Sequence, residues 1–209
     1  MNIDIVVFDG ADELDFVGPY EIFQNAAAWA AKSGIEAKVR LVTLVPQPQV
    51  VSGHSLRIIP DGVLEGRPDI LLVPGGGWVS QPERSVRVEI ERGDLPAAVA
   101  EAHRQGSIIA GVCTGVMVLA HAGLLTGRPA TTHHRALDDL GAMGAQVVDK
   151  RVVDDGDIIT CGGVTSGLDL ALWVVERFYG ARVADAIAAN IEHPRPDKLQ
   201  FVVNSNRAI

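Results

Sequence analysis

The sequence is short of cysteine and of positive charge. Only two cysteines stand among its 209 residues, and 18 Lys and Arg face 26 Asp and Glu, which gives a net charge of −8. Two thiols are too few for a cysteine-rich zinc site, and we expect no disulfide between Cys113 and Cys161. The acidic balance offers no broad phosphate-binding surface, so we expect no nucleic acid partner.

Long apolar runs and a basic leader are also missing. No apolar stretch approaches the roughly 20 residues that span a bilayer, and residues 1–4 lead into a strand-like run without the basic and apolar regions of a signal peptide. We therefore expect a cytoplasmic protein with no membrane partner. Its 47% hydrophobic and 21% charged content predicts one α/β domain over residues 1–209.

Apolar segments typical of buried parallel strands alternate with segments of helical composition. We predict strands at 3–8, 39–45, 69–73 and 107–112, and a helix at 20–32 with Pro19 near its first turn. Further helices are expected at 86–92, 95–105, 168–179 and 182–191, and hairpins at 47–60 and around 154–156. In the tail, Leu199 and residues 201–203 are candidates to dock on the body.

Four glycine-rich or acidic stretches follow predicted strands, at 12–19, 74–77, 111–115 and 161–167. The carboxyl ends of parallel strands meet at one edge of a sheet, where ligands bind. We therefore expect these four stretches to converge on one site for a small molecule.

Cys113 is the sharpest candidate within that site. It stands in Gly111-Val112-Cys113-Thr114-Gly115, between an apolar strand and a segment of helical composition. Flanking glycines permit a tight elbow, and a helix N-terminus favours a thiolate. The alternative is a small buried side chain with no chemistry, which is common for free cysteine.

Asp15 lies between apolar residues just before the predicted helix. Two interpretations stay open from the residues alone. The carboxylate could cap the helix, or burial could raise its pKa and make it a proton carrier beside the thiolate.

Backbone groups and histidines supply further candidates. Gly76 and Gly77 could present N–H groups to a developing anion, although a plain turn explains them as well. His133 and His134 follow a predicted short strand, where neighbouring side chains point to opposite faces, so joint metal binding is disfavoured and we predict no metal site. At most one of them, His133, is expected to face the site.

Several of these motifs together resemble the ThiJ/PfpI superfamily of class I glutamine amidotransferase-like proteins. The resemblance rests on the order and spacing of residues 74–77, 111–115, 123–133 and 162–169. It implies a flavodoxin-like three-layer α/β/α sandwich with a mostly parallel sheet, a nucleophile-elbow cysteine, and commonly a homodimer.

Within the superfamily, residues 14–21 coupled to Cys-Thr-Gly look most like isocyanide (isonitrile) hydratases and the amidotransferase-like domain of AraC-type regulators. That resemblance implies a lyase without a cofactor, in which Cys113 is the nucleophile, Asp15 its acid/base partner and Thr114 a further site residue. It also implies backbone N–H groups near Gly76 facing the substrate. Thr114 stands where the peptidase-like branch has histidine, which argues against peptidase chemistry.

Two alternatives remain open. The same thiol could act on 2-oxoaldehydes in a glyoxalase-like or deglycase-like reaction. The chain could instead be a non-catalytic ligand or redox sensor, since exposed thiolates oxidise readily.

Overall fold

The computed structural model describes residues 1–32, 34–79 and 83–195, and the backbone of 201–203. The strands in these ranges are β1 Asn2–Val6, β2 Lys38–Thr43, β3 Val50–Val51, β4 Arg57–Ile58, β5 Gly62–Val63, β6 Ile70–Val73, β7 Ile108–Gly111, β8 Pro129–Ala130, β9 Gln146–Val147, β10 Val152–Asp154, β11 Ile158–Cys161 and β12 Phe201–Val203. The helices are α1 Glu13–Ala31, α2 Val86–Arg92, α3 Asp94–Arg104, α4 Val116–His121, α5 Leu137–Ala142, α6 Ser166–Tyr179 and α7 Ala181–Asn190. Two 3₁₀ turns cover Cys113–Gly115 and His134–Ala136.

Most strands join one sheet with the order β12-β10-β11-β7-β6-β1-β2-β5. Its centre is parallel, from β11 through β7, β6 and β1 to β2 and β5. Strands β6 and β7 are buried along their whole length, as a sheet covered on both faces requires. The predicted hairpins are present as β3–β4 and β10–β11, and β12 pairs with β10, whereas Leu199 lies outside the described residues.

The helices form two groups. Helices α1, α6 and α7 pack on one another, and α2, α3 and α4 form the second group. The connection from β1 to β2 through α1 runs toward one edge of the sheet, and the connection from β6 to β7 runs toward the other, so right-handed crossovers place the groups on opposite faces. The flavodoxin-like three-layer α/β/α prediction is confirmed.

Helix α1 begins seven residues earlier than its predicted start at residue 20. Asp12 caps it, since its side chain accepts a hydrogen bond from the Leu14 N–H at 3.2 Å, and Pro19 lies inside the helix. Proline normally disturbs a helix interior. Here its ring packs against α6, where a Cβ added to Gly167 would lie 3.3 Å from Pro19 Cγ. The cap at Asp12 therefore sets the start of the helix, and Pro19 serves helix packing.

No helix in the described part of the chain combines the length and the apolar character needed to cross a membrane.

Candidate active site

Cys113 occupies a sharp elbow between β7 and α4. Its φ of 55° lies in the left-handed region that non-glycine residues rarely adopt. Close contacts around it require glycine: a Cβ at Gly115 would lie 2.2 Å from the Val73 carbonyl oxygen, and one at Gly75 would lie 2.4 Å from Thr114 Oγ1. The elbow itself is thus packed closely against the end of β6 and the loop that follows it.

Hydrogen bonds hold this strained backbone in place. The Cys113 N–H donates to the Gly162 carbonyl at 3.0 Å, and the Thr132 hydroxyl donates to the Cys113 carbonyl at 2.7 Å. The Gly115 N–H closes the turn onto the Val112 carbonyl at 2.8 Å. Because both peptide groups of Cys113 are tied to neighbouring segments, the direction of its side chain is fixed before any ligand arrives.

Asp15 lies in the first turn of α1 and is completely buried. Its Oδ2 accepts the Gly75 N–H at 2.9 Å. Its Oδ1 has no partner with hydrogen-bond geometry among the described residues, although the Cys113 thiol lies close enough to influence its pKa. Since Asp12 caps the helix, the capping interpretation of Asp15 is wrong. The unpaired oxygen beside a thiol is an arrangement suited to a carboxyl that carries a proton.

Burial dominates the electrostatics of this pair. Burial, with a smaller contribution from the Asp12 charge, raises the pKa of Asp15 to about 8. Burial and the negative charge of Asp15 raise the pKa of the Cys113 thiol to about 12, while the N–H groups of Val164 and Thr114 act to lower it. A neutral Asp15 exerts no such repulsion. Protonation of Asp15 therefore removes one cause of the raised thiol pKa, so a thiolate forms more readily beside a protonated carboxyl than beside a carboxylate.

Thr114 and the loop after β6 form the wall next to the cysteine. The Gly76 N–H donates to Thr114 Oγ1 at 3.0 Å, so this N–H is already engaged by the protein. The Gly77 N–H donates to no group in the described ranges. Of the two glycines considered for anion binding, Gly77 is the one with a free donor.

A cavity of about 810 Å³ opens over the elbow. Cys113, Thr114, Gly76, Gly77 and His133 all line it, whereas Asp15 lies behind Cys113 and does not reach the cavity. The predicted site residues are thus gathered in one place. The structure adds lining residues that no sequence motif indicated, namely Ser52 and His54 of the β3–β4 hairpin, Arg84 and Arg135.

His133 is half-buried at the cavity, but the predicted arrangement of the two histidines is wrong. They follow β8 in an irregular segment, and their ring centroids are only 4.2 Å apart. Burial and the nearby His134 and Arg135 charges lower the pKa of His133, and its Nδ1 accepts the Arg135 N–H at 3.2 Å. His133 is therefore neutral near pH 7, with its remaining ring proton on Nε2.

The second cysteine has a different environment. Cys161 ends β11 and is fully buried, and burial raises the pKa of its thiol far above the usual range. Both cysteines are free thiols. Within the described residues, no group of three or more His, Cys, Asp and Glu is placed to hold a metal ion.

The chain is similar to proteins of one family, both in sequence and in structure. The chain is 33% identical to an isonitrile hydratase of Pseudomonas putida over 94% of its own length and 80% of that protein. It is 28% identical to a Parkinson disease protein 7 homolog of Danio rerio, over 88% of its length and 93% of that protein. The crystal structure of a ThiJ/PfpI family protein from Pseudomonas syringae superposes with a TM-score of 0.80 at 28% identity, over 94% of this chain and 76% of that one. The model of the DJ-1/PfpI family matches residues 1–177, so the chain belongs to this family.

Proposed function

We propose that the protein is a cysteine-dependent isocyanide hydratase, which adds water to an isocyanide to give an N-substituted formamide. The observation that carries the proposal is the buried Asp15 carboxyl, whose free oxygen and raised pKa accompany the thiol of Cys113 on its strained elbow. The similarity to an isonitrile hydratase over 94% of the chain supports the same assignment.

An isocyanide needs two things at its terminal carbon, a nucleophile and a proton. The Cys113 thiolate forms a bond to that carbon while the proton of Asp15 is transferred to it, which gives a thioimidate on the sulfur and leaves a carboxylate. The pair meets both requirements when the carboxyl holds its proton and the thiol has lost its own. A permanently charged carboxylate could not deliver a proton in this step.

Water completes the reaction. Its oxygen adds to the thioimidate carbon, one of its protons goes to the nitrogen, and the other returns to the Asp15–Cys113 pair when the carbon–sulfur bond breaks. The products are the formamide and the starting form of the site, and no oxidant or reductant is consumed. We assign the orientation of the adding water or the substrate to the Gly77 N–H and Thr114, which line the cavity.

The test is formamide production from alkyl and aryl isocyanides, followed by chromatography. We expect Cys113→Ala to abolish turnover and Asp15→Asn to reduce kcat by roughly 10²- to 10⁴-fold, the usual contribution of general acid–base catalysis. Cys161→Ala removes the other thiol and should retain activity, with circular dichroism confirming that each variant is folded.

Undiminished turnover in Cys113→Ala would rule out the proposal. The same assays run with methylglyoxal address the 2-oxoaldehyde alternative. Consumption of methylglyoxal that depends on Cys113, without any isocyanide turnover, would favour that reaction instead.

A further inference from the structure

Besides His133, three residues whose side chains can carry positive charge line the Cys113 cavity, namely His54, Arg84 and Arg135. They come from three separate segments, the β3–β4 hairpin, the loop before α2 and the turn before α5. Neither guanidinium group forms an ion pair or hydrogen bond with any residue that the structure describes. Arginine groups without a protein partner are available to a ligand.

Glu13 favours the charged form of His54. The Glu13 carboxylate accepts the His54 backbone N–H at 2.6 Å and contacts the ring Nδ1 at 2.5 Å. Partial burial acts to raise the pKa of Glu13, but hydrogen bonds from Ser52 and His54 outweigh it and lower the pKa to about 2. The hydrogen bond and charge of Glu13 raise the pKa of His54. Its Nδ1 is engaged, so Nε2–H remains to face a ligand.

Two carboxylates also line the cavity, Asp12 and Glu83. Asp12 is the cap of α1, where the helix N-terminus offsets its charge. The charge that His54 carries when protonated is paired with that of Glu13, so the two arginines are the cations of the cavity that have no ion-pair partner among the described residues. On a chain whose net charge is −8, two unpaired arginines at one cavity are a local feature that suits an anionic group.

We propose that the substrate carries a carboxylate on its substituent, and that Arg84 and Arg135 bind this carboxylate while Cys113 reacts with the other end. This inference rests on the proposed function for the reacting group and adds the substrate class. Guanidinium groups match a carboxylate in geometry and charge. A cavity of about 810 Å³ has room for a substituent well beyond the isocyanide carbon and nitrogen.

Binding tests the inference without relying on turnover. Isocyanoacetate and its methyl ester differ mainly by the negative charge, and calorimetry on Cys113→Ser protein measures the affinity of each. We expect the carboxylate to bind about tenfold more tightly than the ester, and Arg84→Gln and Arg135→Gln each to weaken carboxylate binding by about three- to tenfold with the ester unaffected. Arg182→Gln, on α7 and outside the cavity, is the matched loss of one charge and should change neither affinity.

Equal affinity for the two compounds, or no binding of either at millimolar concentration, would overturn the inference. So would a loss in Arg182→Gln as large as in the cavity variants. Turnover separates this inference from the proposed function. If the ester is hydrated as well as the acid and the arginine variants show no preference, the hydratase assignment stands and the carboxylate site is wrong.

Discussion

The Asp15 carboxyl is a costly group for the folded protein, because it is buried with one oxygen unpaired. In the unfolded chain water solvates it and it ionises readily, whereas in the folded state its charge is penalised. Active sites commonly retain such unfavourable groups because their altered proton affinity is useful. The cost should be measurable as a dependence of stability on pH.

The pKa of Asp15 is raised from 3.8 to about 8 on folding. Between these values the folded state holds a proton that the unfolded state has lost, so this group lowers stability progressively as pH rises from about 4 to about 8. Asp15→Asn removes the titration while Asn Oδ1 can still accept the Gly75 N–H. Urea unfolding across this range should show that the unfolding free energy of the variant increases relative to that of the wild type as the pH rises. The total change should be on the order of a few kcal/mol.

Asp138→Asn removes an exposed carboxylate of α5 and serves as the control. Its unfolding free energy should run parallel to the wild type over the same pH range. Parallel curves for Asp15→Asn as well would mean that Asp15 is ionised in the folded protein, contrary to the acid role proposed for it.

At the scale of secondary structure, the β3–β4 hairpin forms one wall of the site and is attached to the start of α1. Glu13 receives the Ser52 hydroxyl, the His54 N–H and the His54 ring. Backbone bonds add to this attachment, from Gly53 N–H to the Ala11 carbonyl at 2.8 Å and from Gly10 N–H to the Val51 carbonyl at 2.9 Å. The short strands could not hold a loop in place by themselves. The position of the hairpin therefore depends on these bonds to the start of α1 and the loop before it, those of Glu13 among them.

Glu13→Gln should loosen this hairpin. The substitution keeps the size of the side chain but removes the charge that raises the pKa of His54. Charge-assisted hydrogen bonds then become neutral ones that are roughly half as strong. We expect hydrogen exchange of the amides in residues 50–58 to accelerate by about tenfold, a local loss of about 1.4 kcal/mol. Since the hairpin lines the cavity, KM should rise more than kcat falls.

Glu36→Gln makes the same chemical change at an exposed position and should leave exchange in the hairpin unchanged. Exchange in Glu13→Gln that matches the wild type would show that the other bonds, namely the backbone bonds and the one from the Val51 N–H to Asp9 Oδ1 at 2.8 Å, are enough to hold the hairpin.

Sequence patterns found most of the elements around the site but not this attachment. Apolar runs predicted β1, β6 and β7, and the glycines of residues 111–115 predicted the elbow, because both signals are local. The contact between Glu13 and His54 joins residues 41 positions apart and leaves no periodic trace. The hairpin itself was expected at 47–60, yet nothing in its sequence indicated that it lines the cavity.

The start of α1 shows a related limit. Pro19 is a strong local signal for a helix start, but the cap at Asp12 and packing on α6 decide the boundary instead. Packing between helices depends on which residues meet, and the sequence does not display that directly. For this reason Asp15, which was predicted to lie before the helix, lies inside it.

Across the whole molecule, different groups of residues lie at the two ends of the parallel sheet. The carboxyl ends of β6 and β7 carry the loops of the candidate site, while the opposite end holds a network of charged groups around the β10–β11 turn. There Arg128 binds the side chains of Asp155 and Asp157, and His103 of α3 contacts Asp157 at 2.7 Å. This network ties a helix, the segment before β8 and a hairpin together. The single domain over 1–209 and the homodimer stay predictions.

Because the network lies far from the cavity, stability and activity should separate in a variant of Asp157. Partial burial acts to raise the pKa of Asp157, but Arg128 and His103 outweigh it and lower the pKa from 3.8 to about 2. The stabilisation from this group is present above about pH 4 and is lost as pH falls toward 2.

Asp157→Asn should therefore lower the unfolding free energy by about 1 kcal/mol at pH 7, a value kept small because the side chain is partly exposed. The difference from the wild type should close as the pH falls through this window, and isocyanide turnover at pH 7 should be unchanged. Asp149→Asn, at an exposed site, should differ from the wild type at no pH. A loss of turnover in Asp157→Asn without a loss of stability would contradict this division between the two ends of the sheet.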